Sequence, residues 1–160
     1  MLKPLRKFNN GDGALLCNIC RTIMLTGNEA LKSDEILCEE CNKNYNMKQL
    51  LWLDDIRNPF VGDWLMQYAP QFTCDEGEVT WVKSYDEFTK WIIENGLPDM
   101  IAFDHDLGTD KSGLDCTKWL VDYCMDNDMD LPQWTIQSAN PVGADNINGM
   151  LNGYKKFRNK

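Results

Sequence analysis

Pro98-Asp99-Met100-Ile101-Ala102-Phe103-Asp104-His105-Asp106-Leu107-Gly108 is the stretch that decides the fold. Four apolar residues run into an acid, a histidine and a second acid before a Leu-Gly break. A short apolar run with Pro before it and Gly after it predicts a strand buried on both faces, as in a parallel sheet. Its ionisable side chains then stand at the carboxyl end of the strand, where open α/β sheets bind their ligands. Leu50-Leu51-Trp52-Leu53-Asp54-Asp55 has the same form, an apolar run ending in paired carboxylates. Laid side by side, the two strands bring Asp54, Asp55, Asp104 and Asp106 together. Like charges in a partly dry cleft repel strongly unless cations or protons relieve them.

Working outward, the pattern strand-then-helix repeats four times from Leu50. Strands are predicted at 50–54, 79–83, 100–104 and 132–137, and helices at 59–69, 84–95, 112–126 and 144–157. In helix 84–95, Tyr85, Phe88, Trp91 and Ile92 form an apolar stripe with Asp86, Glu87 and Lys90 outside it. Ser84 with Glu87 three residues on reads as a capping box, and Gly96 followed by Pro98 closes the helix. Alternating units of this length predict a parallel sheet with right-handed crossovers. Cys116 and Cys124 sit beside Leu114, Trp119 and Leu120 and read as core, with Cys74 likewise outside any metal spacing.

Ahead of this body lies a different kind of segment. Cys17-Asn18-Ile19-Cys20 and Cys38-Glu39-Glu40-Cys41 are two C-x2-C knuckles. At this separation they signal a zinc site in which two tight turns supply four thiolates to a tetrahedral shell. Such a shell leaves no position for substrate, so the zinc is expected to be structural and to supply most of the segment's folding free energy. The domain boundary falls in a polar linker, giving a zinc finger with a basic lead-in at 1–46 and an α/β body at 47–160.

Composition narrows the function. The chain has 160 residues and a formal net charge of -9, with basic residues crowded towards the two ends. An acidic middle argues against long nucleic acid, whose non-specific binding requires phosphate neutralisation, but leaves room for a small phosphorylated ligand held through a metal. No apolar run approaches the roughly 20 residues that span a bilayer, and the first residues lack a signal-peptide core. Cytoplasm, where thiols stay reduced, is the expected compartment. Homo-oligomerisation is left open.

Three motifs carry a resemblance. Trp52-Leu53-Asp54-Asp55-Ile56-Arg57-Asn58-Pro59, Phe103-Asp104-His105-Asp106-Leu107-Gly108 and Ser138-Ala139-Asn140-Pro141-Val142-Gly143 together resemble the cyclic-phosphate processing receiver domain family. That family is a divergent relative of bacterial two-component receivers. The resemblance covers roughly residues 49–157. It implies a flavodoxin-like or receiver-like three-layer α/β sandwich, here truncated to four parallel strands in the order 2-1-3-4. It also implies a role in processing cyclic nucleotides or cyclic phosphate ends of RNA. Such small proteins are frequent in phage genomes, where destroying a host messenger in the host cytoplasm would serve counter-defence.

On receiver motifs, Asp54 and Asp55 match the acidic pair that holds a divalent ion, Asp104 the acid that true receivers phosphorylate, and Ser138 the hydroxyl after the fourth strand. Two departures argue against ordinary phosphorelay signalling. The fifth strand and the strand-end lysine of receivers have no counterpart here, the nearest lysines being Lys155 and Lys156. His105 and Asp106 are polar where receivers carry apolar residues, and Gln137 stands where many family members carry a second histidine.

The expected chemistry is metal-assisted hydrolysis of a cyclic phosphodiester. Asp54, Asp55, Asp104 and Asp106 are the expected ligands of Mg²⁺ or Mn²⁺, since oxygen-rich sites suit these ions. His105 is the expected general acid because imidazole titrates near neutrality. Arg57 is placed as a fork to phosphate, with Ser138, Asn140 and the backbone around Gly143 cradling the anion at a helix start. Each motif alone also has a structural reading. The aspartate pair can cap a helix, Ser138-Ala139-Asn140-Pro141 can be a turn, and His105 can be a packing residue. Two other functions fit the same residues: a sponge that binds a nucleotide without cleaving it, and an adaptor whose finger docks to a partner.

Overall fold

The computed structural model describes residues 14–16, 23–26, 47–73 and 77–159. The chain divides into two compact units, residues 1–47 and 48–160. In the first, β1 (Ala14–Leu16) pairs antiparallel with β2 (Ile23–Thr26), Ala14 opposite Thr26, with a register shift between Leu15 and Leu16. Cys17, Cys20, Cys38 and Cys41, the expected zinc ligands, lie outside the described residues, as does Cys74.

The second unit is a four-stranded, all-parallel sheet. β3 (Lys48–Leu53), β4 (Gly77–Val82), β5 (Met100–Phe103) and β6 (Gln133–Ile136) lie side by side in the order β4-β3-β5-β6. This is the 2-1-3-4 order of a receiver-like sheet. The two central strands are apolar from Leu50 and from Met100 onwards, where both faces are covered. Leu50, Leu51, Trp52 and Leu53 are fully buried, as are Ile101, Ala102 and Phe103.

Alternation sends these side chains to opposite sides of the sheet. Leu51, Leu53, Ile101 and Phe103 pack with Phe88, Ile92, Cys116, Leu120, Ile147 and Leu151. These last six come from α2 (Tyr85–Asn95), α3 (Gly113–Asp126) and α4 (Pro141–Arg158). Leu50, Trp52, Met100 and Ala102 face the other way, onto Ala69 and Phe72. Among the described residues, α1 (Trp64–Tyr68) and a 3-10 turn (Pro70–Phe72) cover that side. Each large apolar side chain so buried stabilises the fold by about 1.5–3 kcal/mol before entropy is counted. The Cys116 and Cys124 thiols belong to this core, and burial pushes them up to about 12 and about 11.

Helix ends follow their caps. Ser84 Oγ accepts from Glu87 N, and Gly96 closes α2 with a φ of 86° that favours glycine. α4 begins at Pro141 rather than at 144, because Asn140 caps it and Pro suits the first helical position. The first predicted helix, 59–69, is cut to Trp64–Tyr68. Asp54 Oδ1 accepts from the N–H groups of Ile56 and Arg57, Asn58 Oδ1 accepts from Phe60 N, and Gly62 has a φ of 75°. Side-chain turns of this kind compete with helix for the same backbone donors. Among the described residues, no helix is long and apolar enough to cross a membrane.

Candidate functional site

The sheet ladder continues one residue past the strands at their carboxyl ends. Asp54 N donates to Val82 O, Asp104 N to Leu53 O, and Gln137 N to Phe103 O. Asp54, Asp104 and Gln137 are thereby fixed in a row across three adjacent strands, and all three are buried. One carboxylate oxygen each from Asp54, Asp55 and Asp104 fall within 4.8 Å of one another.

Each acid is held by its own loop. Asp54 Oδ1 accepts from Ile56 N and Arg57 N at 2.9 and 2.5 Å, and Asp104 Oδ1 accepts from His105 N at 2.7 Å. The second oxygens meet a guanidinium: Arg57 Nη1 lies 2.9 Å from Asp54 Oδ2 and 3.3 Å from Asp104 Oδ2. Burial raises Asp104 above the ordinary carboxylate range, aided by the charge of Asp54, while Ser138, the His105 N–H and Arg57 pull it down without overcoming burial. Arg57 is itself raised. Partial burial works against its charge, but the hydrogen bond to Asp54 and the two carboxylates outweigh it.

Asp55 differs from its neighbours. Its Oδ1 is buried with no hydrogen-bond partner. Gly108, at φ 61°, lies against the other oxygen, and a Cβ there would come within 2.7 Å of Asp55 Oδ2. Two further orphaned atoms lie at the same end of the sheet, His105 Nδ1 and Gln137 Oε1. Native proteins pair nearly all buried polar atoms, so three unpaired ones on residues flanking one cluster mark it as a place built for something besides folding. Three hard oxygen donors, one of them orphaned, fit Mg²⁺ or Mn²⁺.

The remaining expected site residues are placed as follows. The His105 ring packs on the start of α4, where a Cβ at Gly143 would fall 2.2 Å from its Cγ. Its Nε2 is 3.9 Å from Asp106 Oδ1. Asp106 does not join the three-acid cluster. Its side chain is exposed, lies past the strand end, and accepts from Asn140 Nδ2 at 3.4 Å. Gly143 does not offer a free N–H to an anion, because that group donates to Asn140 Oδ1 at 3.0 Å, and Ala144 N is spent on Asn140 O. Arg57 sits on carboxylates rather than open to phosphate. Ser138 Oγ accepts from Asn140 N and supports Asp104.

Several positioning residues escape a reading of the sequence. Trp81 Nε1 donates to Asp54 O at 2.6 Å and Trp52 Nε1 to Arg57 O at 2.9 Å, so two indoles clamp the 54–57 loop. Gln137 Nε2 donates to Leu53 O at 3.3 Å. Gly113 is pressed so closely on the rim that a Cβ would lie 1.8 Å from Asp104 O. Gly108, in its Leu-Gly break, and Gln137, just before Ser138, did leave a visible signal.

The Cyclic-phosphate processing Receiver domain model matches residues 49–153, well over half of the chain. The chain belongs to this family. Neither the curated proteins nor the solved structures contain a match to it. The matched span takes in the three segments that the sheet aligns here: the Asp54-Asp55 strand end, the Asp104-His105 strand end and the Ser138–Gly143 turn into α4.

Proposed function

We propose that the protein is a metal-dependent hydrolase of a cyclic phosphodiester carried by a small nucleotide. The observation that carries this reading is the convergence of Asp54, Asp55 and Asp104 with an orphaned Asp55 oxygen, in a chain of the cyclic-phosphate processing family. Asp54, Asp55 and Asp104 hold Mg²⁺ or Mn²⁺. Bound there, the ion supplies charge neutralisation at the phosphate and a more acidic water.

The chain's own groups do the rest. Ser138 holds Asp104 in place, and Gly143 leaves room for the His105 ring at the start of α4. His105 delivers its proton to the leaving oxygen through Nε2, since Nδ1 is shut away from solvent, and Asp106 Oδ1 lies 3.9 Å from Nε2. The net charge of -9 suits a small ligand better than long nucleic acid. For the segment at 1–46 we propose a structural zinc site held by Cys17, Cys20, Cys38 and Cys41, on the strength of their C-x2-C spacing.

Full-length protein incubated with Mg²⁺ or Mn²⁺ and a panel of 2′,3′- and 3′,5′-cyclic nucleotides, read by chromatography, tests the reading. Metal-dependent linear product, lost in Asp55→Asn, is expected. A second reading, sequestration without cleavage, is favoured by Arg57 already neutralising two of the acids. Stoichiometric binding with intact ligand recovered after denaturation would replace the first reading with the second.

A further inference from the structure

Asp54 and Asp104 divide their oxygens in the same way. Oδ1 of each is tied to backbone N–H of its own loop, and Oδ2 of each faces Arg57 Nη1. One guanidinium nitrogen therefore faces the second oxygen of both acids, with Ser138 also bonded to Asp104. A divalent cation at this cluster needs the same two atoms, and two cations at one pair of oxygens repel. Asp55 stands apart, with an orphaned oxygen and no arginine contact among the described residues.

Arg57 is also built to move by its side chain alone. Its N–H is pinned by Asp54 Oδ1 and its carbonyl by the Trp52 indole, so the backbone stays. The guanidinium is partly exposed, and its Cζ lies 5.5 Å from the centroid of the Trp64 ring, a face on which a cation rests favourably.

We propose that Arg57 and a divalent metal are alternative occupants of the Asp54–Asp104 oxygen pair, so that metal entry expels the guanidinium and Asp55 serves the metal alone. This rests on the metal reading above and adds an internal competitor that sets metal affinity. Expelled, Arg57 becomes available to a phosphate oxygen at the same rim.

The test is Mg²⁺ binding to the full-length protein by calorimetry, with tryptophan emission as a second readout. Mg²⁺ is chosen because thiolates of the N-terminal segment bind it poorly. Arg57→Met is expected to bind Mg²⁺ at least about tenfold tighter than wild type, and Asp55→Asn at least about tenfold more weakly. The Mg²⁺-induced change in emission that accompanies movement of the guanidinium beside Trp64 is expected to vanish in Arg57→Met. Lys83→Met, removing a charge that follows β4 and lies over the Trp81 ring, controls for net charge. Should Arg57→Met fail to give a folded circular-dichroism spectrum, Arg57→Gln makes the same comparison. Equal gains from Arg57→Met and Lys83→Met, or no gain from Arg57→Met, overturn the exchange while leaving the metal site standing. No Mg²⁺ binding by wild type or variant overturns both.

Discussion

At the start of α3, Asp115 accepts hydrogen bonds from both the N–H and the hydroxyl of Ser112, while Lys118 reaches its other oxygen. The backbone bond, then the hydroxyl, draws its carboxyl down to about 2. At the neighbouring rim, Asp104 is the same side chain in the opposite situation, raised by burial although it too accepts a backbone N–H and has Ser138 beside it. Local hydrogen bonds decide the first carboxyl, whereas at the second burial outweighs the hydrogen bonds and the charge of Arg57.

The regions meet at Gly113, whose N–H donates to His105 O at 2.8 Å. Gly113→Ala should therefore give the largest effect, because its Cβ would collide with the Asp104 carbonyl backbone and no flexible group can give way. A loss of about 3 kcal/mol in urea denaturation is expected. Wild-type stability in this variant would show that the helix start and the rim are independent. Gly143→Ala comes next. It drives the His105 ring from its seat and should lower hydrolysis about 100-fold, the range of a displaced general acid. The readout is metal-dependent turnover at unchanged Mg²⁺ affinity, and undiminished turnover would remove His105 from the chemistry.

Asp104→Asn sharpens the contrast in the other direction. Because the folded value lies above the unfolded one, the ionised acid opposes folding. Its contribution favours the fold at low pH and is lost as pH rises through the folded value. Without metal at neutral pH, Asp104→Asn should be more stable than wild type in the same denaturation assay, while binding Mg²⁺ weakly. A less stable variant would mean that Arg57 more than compensates the burial of Asp104.

The contrast between the two acids also explains what the sequence could reveal. β3 and β5 were legible because their residues are buried on both faces, which leaves an uninterrupted apolar run in Leu50–Leu53 and Met100–Phe103. The meeting of Asp54, Asp55 and Asp104 follows from the pairing of β3 with β5, an order that the family resemblance implied and that alternation of strand and helix alone does not. Caps at Ser84 and Gly96 show as local patterns. What stayed hidden depends on single oxygens. Nothing in Asp-Asp-Ile-Arg says that Asp54 Oδ1 turns back onto the next residues, shortening the helix and carrying Arg57 onto the acids. The same holds for Gly143, whose N–H is taken by Asn140, and for the indoles of Trp52 and Trp81, which look like ordinary core until their donors are followed.

The smallest effect belongs to Asp115→Ala, and it separates the two acids by pH. Removing a first-turn acid should cost about 0.5–1 kcal/mol at neutral pH. Asp115's contribution is complete above its ordinary value of 3.8 and disappears as pH falls towards about 2, because its folded value lies below the unfolded one. The stability gap between wild type and Asp115→Ala should thus close over that interval. The gap between wild type and Asp104→Asn should close at higher pH, where Asp104 takes up its proton and the wild-type fold sheds a buried charge. Denaturation midpoints measured for both variants across this range would then show two transitions of opposite sign. If both gaps closed together, the two carboxylates would be titrating alike and Asp104 would be an ordinary structural acid.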